Sequence, residues 1–498
     1  MNFIGIDLGT SEVKVLLLGD DHRVIAQAGS ALELSRPHPL WSEQDPAQWW
    51  RATCDALDQL AAQAGASAMA AVAGIGLSGQ MHGAVVLGRD RAVLRPAILW
   101  NDGRSVAECD ALTARLPGLA GIAGNLAMPG FTAPKLLWLQ HHEPAVFAQT
   151  DMVLLPKDWL RLQLTGECVS EMSDAAGTLW LDVARRCWSP ELLGACNLGV
   201  AQMPRLVEGS AVSGHLHGTL ARRWGLPAQV VVAGGGGDNA ASAVGIGAVA
   251  PGSGFVSLGT SGVLFVTTDR FRPNPVSAVH AFCHAVPGRW HQMSVMLSAA
   301  SGLQWAAGLT GSRDVAQLLA GVPALGPEQL LRAPLFLPYL SGERTPHNDP
   351  LAQGALVGLT LDHGPAHLAY AVMEGVTFGL LDGLQALHQA GTQVQRLSLV
   401  GGGARSSLWA QQLASAMDLE IVTHAGGLAG AALGAARLGW LACGGDEALV
   451  CSAPPVDHVY APDAAERARL RLRHARFRNL YPALRASFHD AAPAAAYS

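Results

Sequence analysis

The chain predicts an α/β protein built from two similar halves, and three observations carry that reading. The run Asp7-Leu8-Gly9-Thr10-Ser11 returns in nearly the same form as Ser257-Leu258-Gly259-Thr260-Ser261. Each copy lies between short apolar runs, as in a β-hairpin whose turn is made of glycine and small hydroxyl residues. Around both copies, apolar runs of strand length alternate with stretches of helical periodicity. A length of 498 residues exceeds what one core supports, and with half the residues hydrophobic and 14% charged there is enough apolar material for two large domains.

Taken in order, Phe3-Ile4-Gly5-Ile6 and Val13-Lys14-Val15-Leu16-Leu17-Leu18 are the strands of the first hairpin, with Val24-Ile25-Ala26 as a third strand. Asp45-Pro46-Ala47-Gln48 reads as a helix start: an Asp N-cap, Pro in the first turn and Gln placed to cap back. Trp49, Trp50, Ala56, Leu57, Leu60 and Ala61 continue it as one apolar face. Val72 to Leu77 reads as a strand, followed by the polar loop Ser78-Gly79-Gln80-Met81-His82-Gly83 and a strand over residues 84–87. Val230-Val231-Val232-Ala233 is a strand ending in four glycines, residues 234–237, then Asp238-Asn239 and a helix over residues 240–249 closed by Pro251-Gly252. The domain boundary falls at residue 250, giving halves 1–249 and 250–498. The second half closes its sheet with Leu397-Ser398-Leu399-Val400, the turn Gly401-Gly402-Gly403 and a helix over residues 408–417. Residues 425–445, rich in Gly and Ala but holding Arg437, read as a buried helix rather than a membrane span. The tail beyond about residue 463 starts helical and frays over its last dozen residues.

The net charge of −6, with no dense Lys/Arg run, argues against a nucleic-acid surface. An anionic ligand would be held by local N–H groups and a metal, not by a global positive field. Eight cysteines without a Cys-x-x-Cys pair read as reduced thiols of a cytosolic protein. The first residues run directly into a strand, so no signal peptide is expected. Gly74-Ile75-Gly76-Leu77-Ser78-Gly79 matches the dinucleotide fingerprint, but it lies in and just after a strand that leads to another strand, the wrong context. His280, Cys283 and His284 lack a second pair at zinc spacing. The P-loop pattern is absent.

Each hairpin turn presents backbone N–H groups and hydroxyls at one point, a cradle for phosphate oxygens. Two cradles in register suit one phosphate chain clasped between the halves. Thr10, Ser11 and Lys14 belong to the first, and Gly259, Thr260 and Ser261 to the second. The first also carries Asp7, which leaves an apolar strand at a mouth where hydrated Mg²⁺ can sit. Gly401, Gly402 and Gly403 read either as a tight βα turn or as close approach to a ribose or α-phosphate at a helix N-terminus. Asp238 follows four glycines at the carboxyl end of a strand, where ligands bind in open α/β sheets. Ionised at pH 7, it can take a proton from a hydroxyl, or else serve as an N-cap. Met81 and His82, near Trp100-Asn101-Asp102, bring imidazole, amide and carboxylate groups beside an indole face, which suits a polyhydroxylated substrate.

On these residues the chain resembles the FGGY carbohydrate kinases, most closely the bacterial members that phosphorylate D-xylulose. The likeness runs from Ile4-Gly5-Ile6-Asp7-Leu8-Gly9-Thr10-Ser11 to about Arg437. It includes Trp41-Ser42-Glu43-Gln44-Asp45-Pro46, Gly79-Gln80-Met81-His82-Gly83, Ser173-Asp174-Ala175-Ala176-Gly177-Thr178, Asp238-Asn239-Ala240-Ala241 and Ser341-Gly342-Glu343-Arg344-Thr345-Pro346-His347. The resemblance implies two actin-like (ribonuclease-H-like) domains with a cleft, sugar on the first and ATP on the second. It implies Asp238 as catalytic base, Asp7 near the metal and phosphates, and Met81 and His82 on the ketose, with Trp100, Asn101 and Asn239 beside them. Gly259, Thr260 and Ser261 would hold terminal phosphates, and Gly401, Gly402 and Gly403 the adenosine end. Glu12 stands where a small residue is common, and residues 425–432 lack the Asp and Pro of some relatives. The expected reaction is Mg²⁺- and ATP-dependent phosphorylation of a ketopentose, D-xylulose at O5. The rivals are a gluconate, ribulose or glycerol kinase, the last placing Arg-Glu where Met81-His82 stand, and a non-catalytic actin-like sugar sensor. Expected partners are the sugar and ATP, with a homodimer open, and neither nucleic acid nor membrane. Glu343-Arg344-Thr345 receives no chemistry.

Overall fold

Strand β1 (Asn2–Leu8) is buried along nearly its whole length, which requires cover on both faces of its sheet. The structure, a computed structural model describing residues 1–425 and 430–490, supplies that cover from two directions. β1 pairs antiparallel with β2 (Glu12–Gly19), and β2 with β3 (Val24–Ala31). On its other side β1 runs parallel to β4 (Val72–Gly79). β5 (Val212–His215) and β6 (Val231–Ala233) complete the order β5-β6-β4-β1-β2-β3. The second sheet is built from β7 (Ser253–Leu258), β8 (Gly262–Thr268), β9 (His280–Cys283), β10 (Trp290–Met296), β11 (Arg396–Val400), β12 (Glu420–His424) and β13 (Val456–Tyr460). Its order is β9-β10-β8-β7-β11-β12-β13, with β7–β8 antiparallel and β7–β11 parallel. Apart from β9 at one edge, the two sheets repeat one arrangement, and the two Gly-Thr-Ser turns occupy equivalent places in it.

Helices α1 (Pro46–Ala64) and α2 (Pro156–Thr165) cover one face of the first sheet, where Trp49, Leu57, Trp159 and Leu160 meet Ile4, Ile6, Ile75 and Leu77. On the second sheet α4 (Pro365–Gln389) and α5 (Ser407–Met417) take the matching place. The remaining faces are covered crosswise. Helix α3 (Asp238–Gly245), from the first half, puts Ala243 against Phe255 and Phe265 of the second sheet. Helix α6 (Ala431–Ala442), from the second half, lies on the first sheet, with Trp440 stacked on Phe3 at 5.0 Å. It approaches so closely that Cβ atoms built on Gly5 and Gly76 would lie 1.9 and 1.7 Å from the carbonyl oxygens of Ala432 and Ala435. A Cβ on Gly434 would lie 1.6 Å from the carbonyl of Ala241 in α3. The glycines of the false dinucleotide fingerprint are therefore packing glycines.

Several expectations change in detail. Gln48 closes no capping box; its amide lies against the backbone of Glu33, and Asp45 alone caps, accepting from the Ala47 N–H at 3.0 Å. Residues 234–237 are not a free turn, because Gly236 and Gly237 pair with Ser78 and Gly79. The following helix begins at Asp238 rather than residue 240 and ends at Gly245 rather than residue 249. The buried Gly/Ala-rich helix is α6, while residues 426–429 of the family departure and residues 491–498 of the tail lie outside the described residues. Among the described residues no helix is long and apolar enough to cross a membrane.

Replacing Gly434 by Ala forces backbone apart at the α3–α6 crossing. We expect a loss of about 3 kcal/mol or more in urea unfolding. Gly118→Ala, where a Cβ meets open space, should stay within about 0.5 kcal/mol.

Candidate active site

Both Gly-Thr-Ser turns sit at the end of a central hairpin. In the first, Gly9 donates to the Glu12 carbonyl at 3.0 Å; in the second, Gly259 donates to the Ser261 carbonyl at 3.1 Å. Among the described residues the N–H groups of Thr10, Ser11, Thr260 and Ser261 make no hydrogen bond, so each turn offers two free donors. Ser11, Thr260 and Ser261 are exposed. Thr10 differs: its hydroxyl accepts from the Trp100 indole N–H at 2.9 Å and donates to Gln80 Oε1 at 3.2 Å. Gln80 Nε2 donates in turn to Gln44 Oε1 at 3.1 Å, and Gln44 Nε2 to the Thr10 carbonyl at 2.7 Å. The first turn is thereby fixed to the loops carrying Met81, His82 and Trp100.

Asp7, one residue inside the first hairpin, has a buried Oδ1 with no partner. Burial, then the charge of Asp238, pushes its carboxyl up to about 6. An unpartnered carboxylate oxygen beside free N–H groups fits a hydrated divalent cation. Asp7 also lines a cavity of about 500 Å³ with Glu12, Lys14 and Gly430. Lys14 is exposed, and its Nζ lies 3.5 Å from Glu12 Oε2, so Glu12 partly offsets the cation that this turn presents.

Asp238 is the first residue of α3, not its N-cap. Its Oδ1 accepts from the backbone N–H and side-chain amide of Asn239, at 2.7 and 2.9 Å, which leaves Oδ2 for a ligand. Burial raises its carboxyl against the pull of those two bonds. Met81 wedges beside it: a Cβ on Gly237 would meet Met81 Cγ at 2.9 Å, and one on Gly177 would meet His82 Nδ1 at 2.6 Å. His82 adopts φ 69°, and its carbonyl is held by Thr132 Oγ1 at 3.1 Å and Lys135 Nζ at 2.9 Å. Burial lowers the His82 imidazole to about 3, so the ring is neutral. Nδ1 faces the Gly177 carbonyl at 2.6 Å and must carry the proton, which leaves Nε2 as an acceptor for a ligand hydroxyl.

Trp100 is 47% exposed and Asn101 is exposed beside it. Asp102, read from the sequence as a third polar contact, is occupied elsewhere: it is buried and accepts from Arg104 at 2.9 and 2.7 Å and from the Ser42 N–H at 2.6 Å. On the second sheet, Gly401 and Gly403 lie so close to Leu258 that Cβ atoms would come within 2.7 Å of its carbonyl and 2.6 Å of its side chain. That contact seats the Gly401-Gly402-Gly403 turn against the second cradle. A cavity of about 810 Å³ opens there, lined by Gly401, Ala404, Arg405 and His424. Among the described residues, His280 and His284 belong to no group of three or more potential metal ligands. His280 instead faces Asn125 Oδ1 at 2.9 Å and Arg344 at 3.2 Å, so part of the unassigned Glu343-Arg344-Thr345 stretch braces β9.

Gln44 and Gly177 entered the sequence reading only as parts of family stretches, without a role, and Phe131, whose ring lies edge-on to His82 at 4.7 Å, and Lys135 did not enter it. Their signal exists only in three dimensions, since each acts on Thr10 or His82 from a distant segment.

Asp7 pays in stability for its charge. Its carboxyl sits near 6 when folded against an ordinary 3.8, so folding favours the protonated form. The charge opposes folding fully above pH 6, and the opposition fades as pH falls toward 3.8. Asp7→Asn should therefore stabilise by roughly 2–3 kcal/mol in urea unfolding at pH 7.5, with the gain shrinking toward pH 4.

Residues 2–245 match the N-terminal domain of the FGGY family of carbohydrate kinases, and residues 254–443 its C-terminal domain. The xylulose kinase of Escherichia coli (strain K12) is 53% identical over 484 residues, covering 97% of this chain and 99% of that protein. The crystal structure of the Brucella ovis xylulose kinase superposes with a TM-score of 0.94 at 49% identity, over 98% of this chain and 100% of that one. The Rhodospirillum rubrum xylulose kinase follows with a TM-score of 0.91 at 30% identity, over 98% and 100%.

Proposed function

The chain belongs to the FGGY family of carbohydrate kinases, with its paired actin-like domains, and from that premise we propose that it transfers the γ-phosphoryl group of ATP to O5 of D-xylulose. One observation carries the site assignment: Asp238, with a free Oδ2, follows the glycine on which Met81 packs and is close enough to Asp7 for its charge to raise that carboxyl. The hydroxyl of a sugar held on the Met81–His82 loop can reach a base there, and the phosphates can meet charge-compensating groups.

His82 Nε2 accepts a sugar hydroxyl, Met81 and the Trp100 face cover carbon, and Asn101 and Asn239 offer amides. Asp238 Oδ2 takes the proton of O5–H as the O5–P bond forms and the bond to the β-phosphate oxygen breaks, releasing ADP. Phosphoryl transfer of this kind needs alignment and charge stabilisation rather than covalent catalysis. The free N–H groups of both turns, with Ser11, Thr260, Ser261 and Lys14, stabilise charge on the β,γ-phosphates. Gly401, Gly402 and Gly403, with the adjoining 810 Å³ cavity, take the adenosine end. Mg²⁺, held through water at Asp7, would neutralise phosphate charge when bound. The half-chain boundary at residue 250 separates the sugar side from the nucleotide side. Eight unpaired thiols support a reducing, cytoplasmic setting.

A coupled ADP-release assay over pentuloses, polyols and sugar acids tests the reading. D-xylulose should give the highest kcat/KM; ADP release unaffected by any sugar would sink it in favour of a non-catalytic sensor. Asp238→Ala should lower kcat by about 10²–10⁴-fold while sugar affinity in calorimetry persists. Asp7 and Asp238 act as carboxylates, so kcat/KM should fall as pH drops through about 6, where Asp7 protonates. In Asp238→Asn, Asp7 loses a neighbouring charge that raises it. Its carboxyl ¹³C titration should then move to lower pH.

A further inference from the structure

Beneath the Asp238 turn lies a group of ionisable side chains that the reaction does not touch. Lys157, Asp158 and Arg161 of α2, with Glu171, Ser173 and Asp174, are buried to within 1% of complete. Lys157 Nζ lies 2.9 Å from Asp158 Oδ1, 3.4 Å from Asp174 Oδ2 and 3.6 Å from Glu171 Oε1. Arg161 Nη1 donates to Asp158 Oδ1 at 2.9 Å and to the Val169 carbonyl at 2.5 Å. Burying such a group does little for stability, since apolar residues of similar volume usually serve a core as well.

The cluster meets the catalytic turn at two points. The Arg161 guanidinium donates to the Gly234 carbonyl, and the Gly237 N–H donates to Ser173 Oγ at 3.0 Å. Gly237 immediately precedes Asp238. Ser173 Oγ, in turn, donates to the Glu171 carboxylate at 2.9 Å, and that carboxylate accepts the N–H groups of Ser173 and Asp174 at 2.8 and 2.9 Å. Lys157 holds Glu171 from the other side. The turn is thus gripped by side chains at its first and last glycine, while Gly235 between them is held at φ 82° with no room for a Cβ against the Leu77 carbonyl.

The geometry points to Ser173 as a positioning residue for phosphoryl transfer: through the Gly237 N–H, and backed by Glu171 and Lys157, it sets where the Asp238 carboxylate stands relative to the sugar hydroxyl. This rests on the assignment of Asp238 as the base. Ser173 touches neither substrate, so its effect falls on the chemical step and not on binding.

Ser173→Ala removes one hydroxyl and leaves Glu171 its two backbone donors. We expect kcat for D-xylulose to fall about 10- to 100-fold, the scale of a misplaced reacting group. KM for sugar and ATP, calorimetric sugar affinity and sugar-independent ATP hydrolysis should all stay within about threefold. A purely structural role would move these quantities together with the melting temperature. The inference is overturned if kcat is unchanged, or if turnover, affinity and basal hydrolysis fall in parallel. Asp238→Ala, assayed alongside, separates the two ideas. If Asp238→Ala keeps normal turnover, the base assignment fails and the positioning role with it. If it loses turnover while Ser173→Ala does not, only the positioning role fails.

Discussion

The crossing of α3 and α6 is the contact on which the two halves depend. Backbone meets backbone there, with Gly434 against the Ala241 carbonyl and Gly245 against the Gly430 carbonyl, at separations that leave no space for a side chain. α6 belongs by sequence to the second half and covers the first sheet, while α3, from the first half, packs on α6 and reaches the second sheet through Ala243. Neither sheet could bury its second face alone: Phe3, Gly5, Gly74 and Gly76 would face water in the first, and Phe255 and Phe265 in the second. Asp238 stands at the start of α3, so the helix that joins the halves also carries the buried carboxylate of the candidate site.

Electrostatics at the site follow from burial. Asp7 and Asp238 are two carboxylates in one partly enclosed place, and both are raised above the ordinary range. A cation placed beside them shifts that balance toward the ionised carboxylates, because nearby positive charge favours the charged form. His82 works in the opposite sense. Its neutral ring, with the proton fixed on Nδ1 by Gly177, presents Nε2 as a hydrogen-bond acceptor across the physiological range.

The sequence made the duplicated hairpin legible because a Gly-Thr-Ser turn between apolar strands has few other uses, and the strand–glycine–Asp pattern exposed Asp238 for the same reason. Orientation was not legible. Whether Asp238 caps its helix or faces a ligand turns on where Asn239 puts its amide. Asp102 looked as available as Asn101 until Arg104 and Ser42 claimed it. Gly74 and Gly76 could be recognised as a false fingerprint, but not as the seat of a helix more than 350 residues away in the chain. Local pattern reports the turn that a residue can make; it carries no information about a distant segment that comes to rest on it.

The repeated turn also proves to be unequal in use. Thr260 keeps an exposed hydroxyl, while Thr10 gives its hydroxyl to Trp100 and Gln80. Through Gln44, that link continues to the buried Trp49 indole, whose N–H donates to Gln44 Oε1 at 2.9 Å. Trp100 is 47% exposed while its N–H holds the Thr10 hydroxyl, so whatever displaces that ring also disturbs the first turn. The second turn is held through its carbonyls instead: the Ala299 N–H and Ser301 Oγ donate to the Thr260 carbonyl at 2.9 and 2.8 Å, and the Ala300 N–H to that of Gly259 at 2.9 Å. One repeated turn is thus fixed in two ways: the first copy by side chains of the loops that carry Gln44, Gln80 and Trp100, the second by backbone and hydroxyl donors at residues 299–301 and by its contact with Gly403.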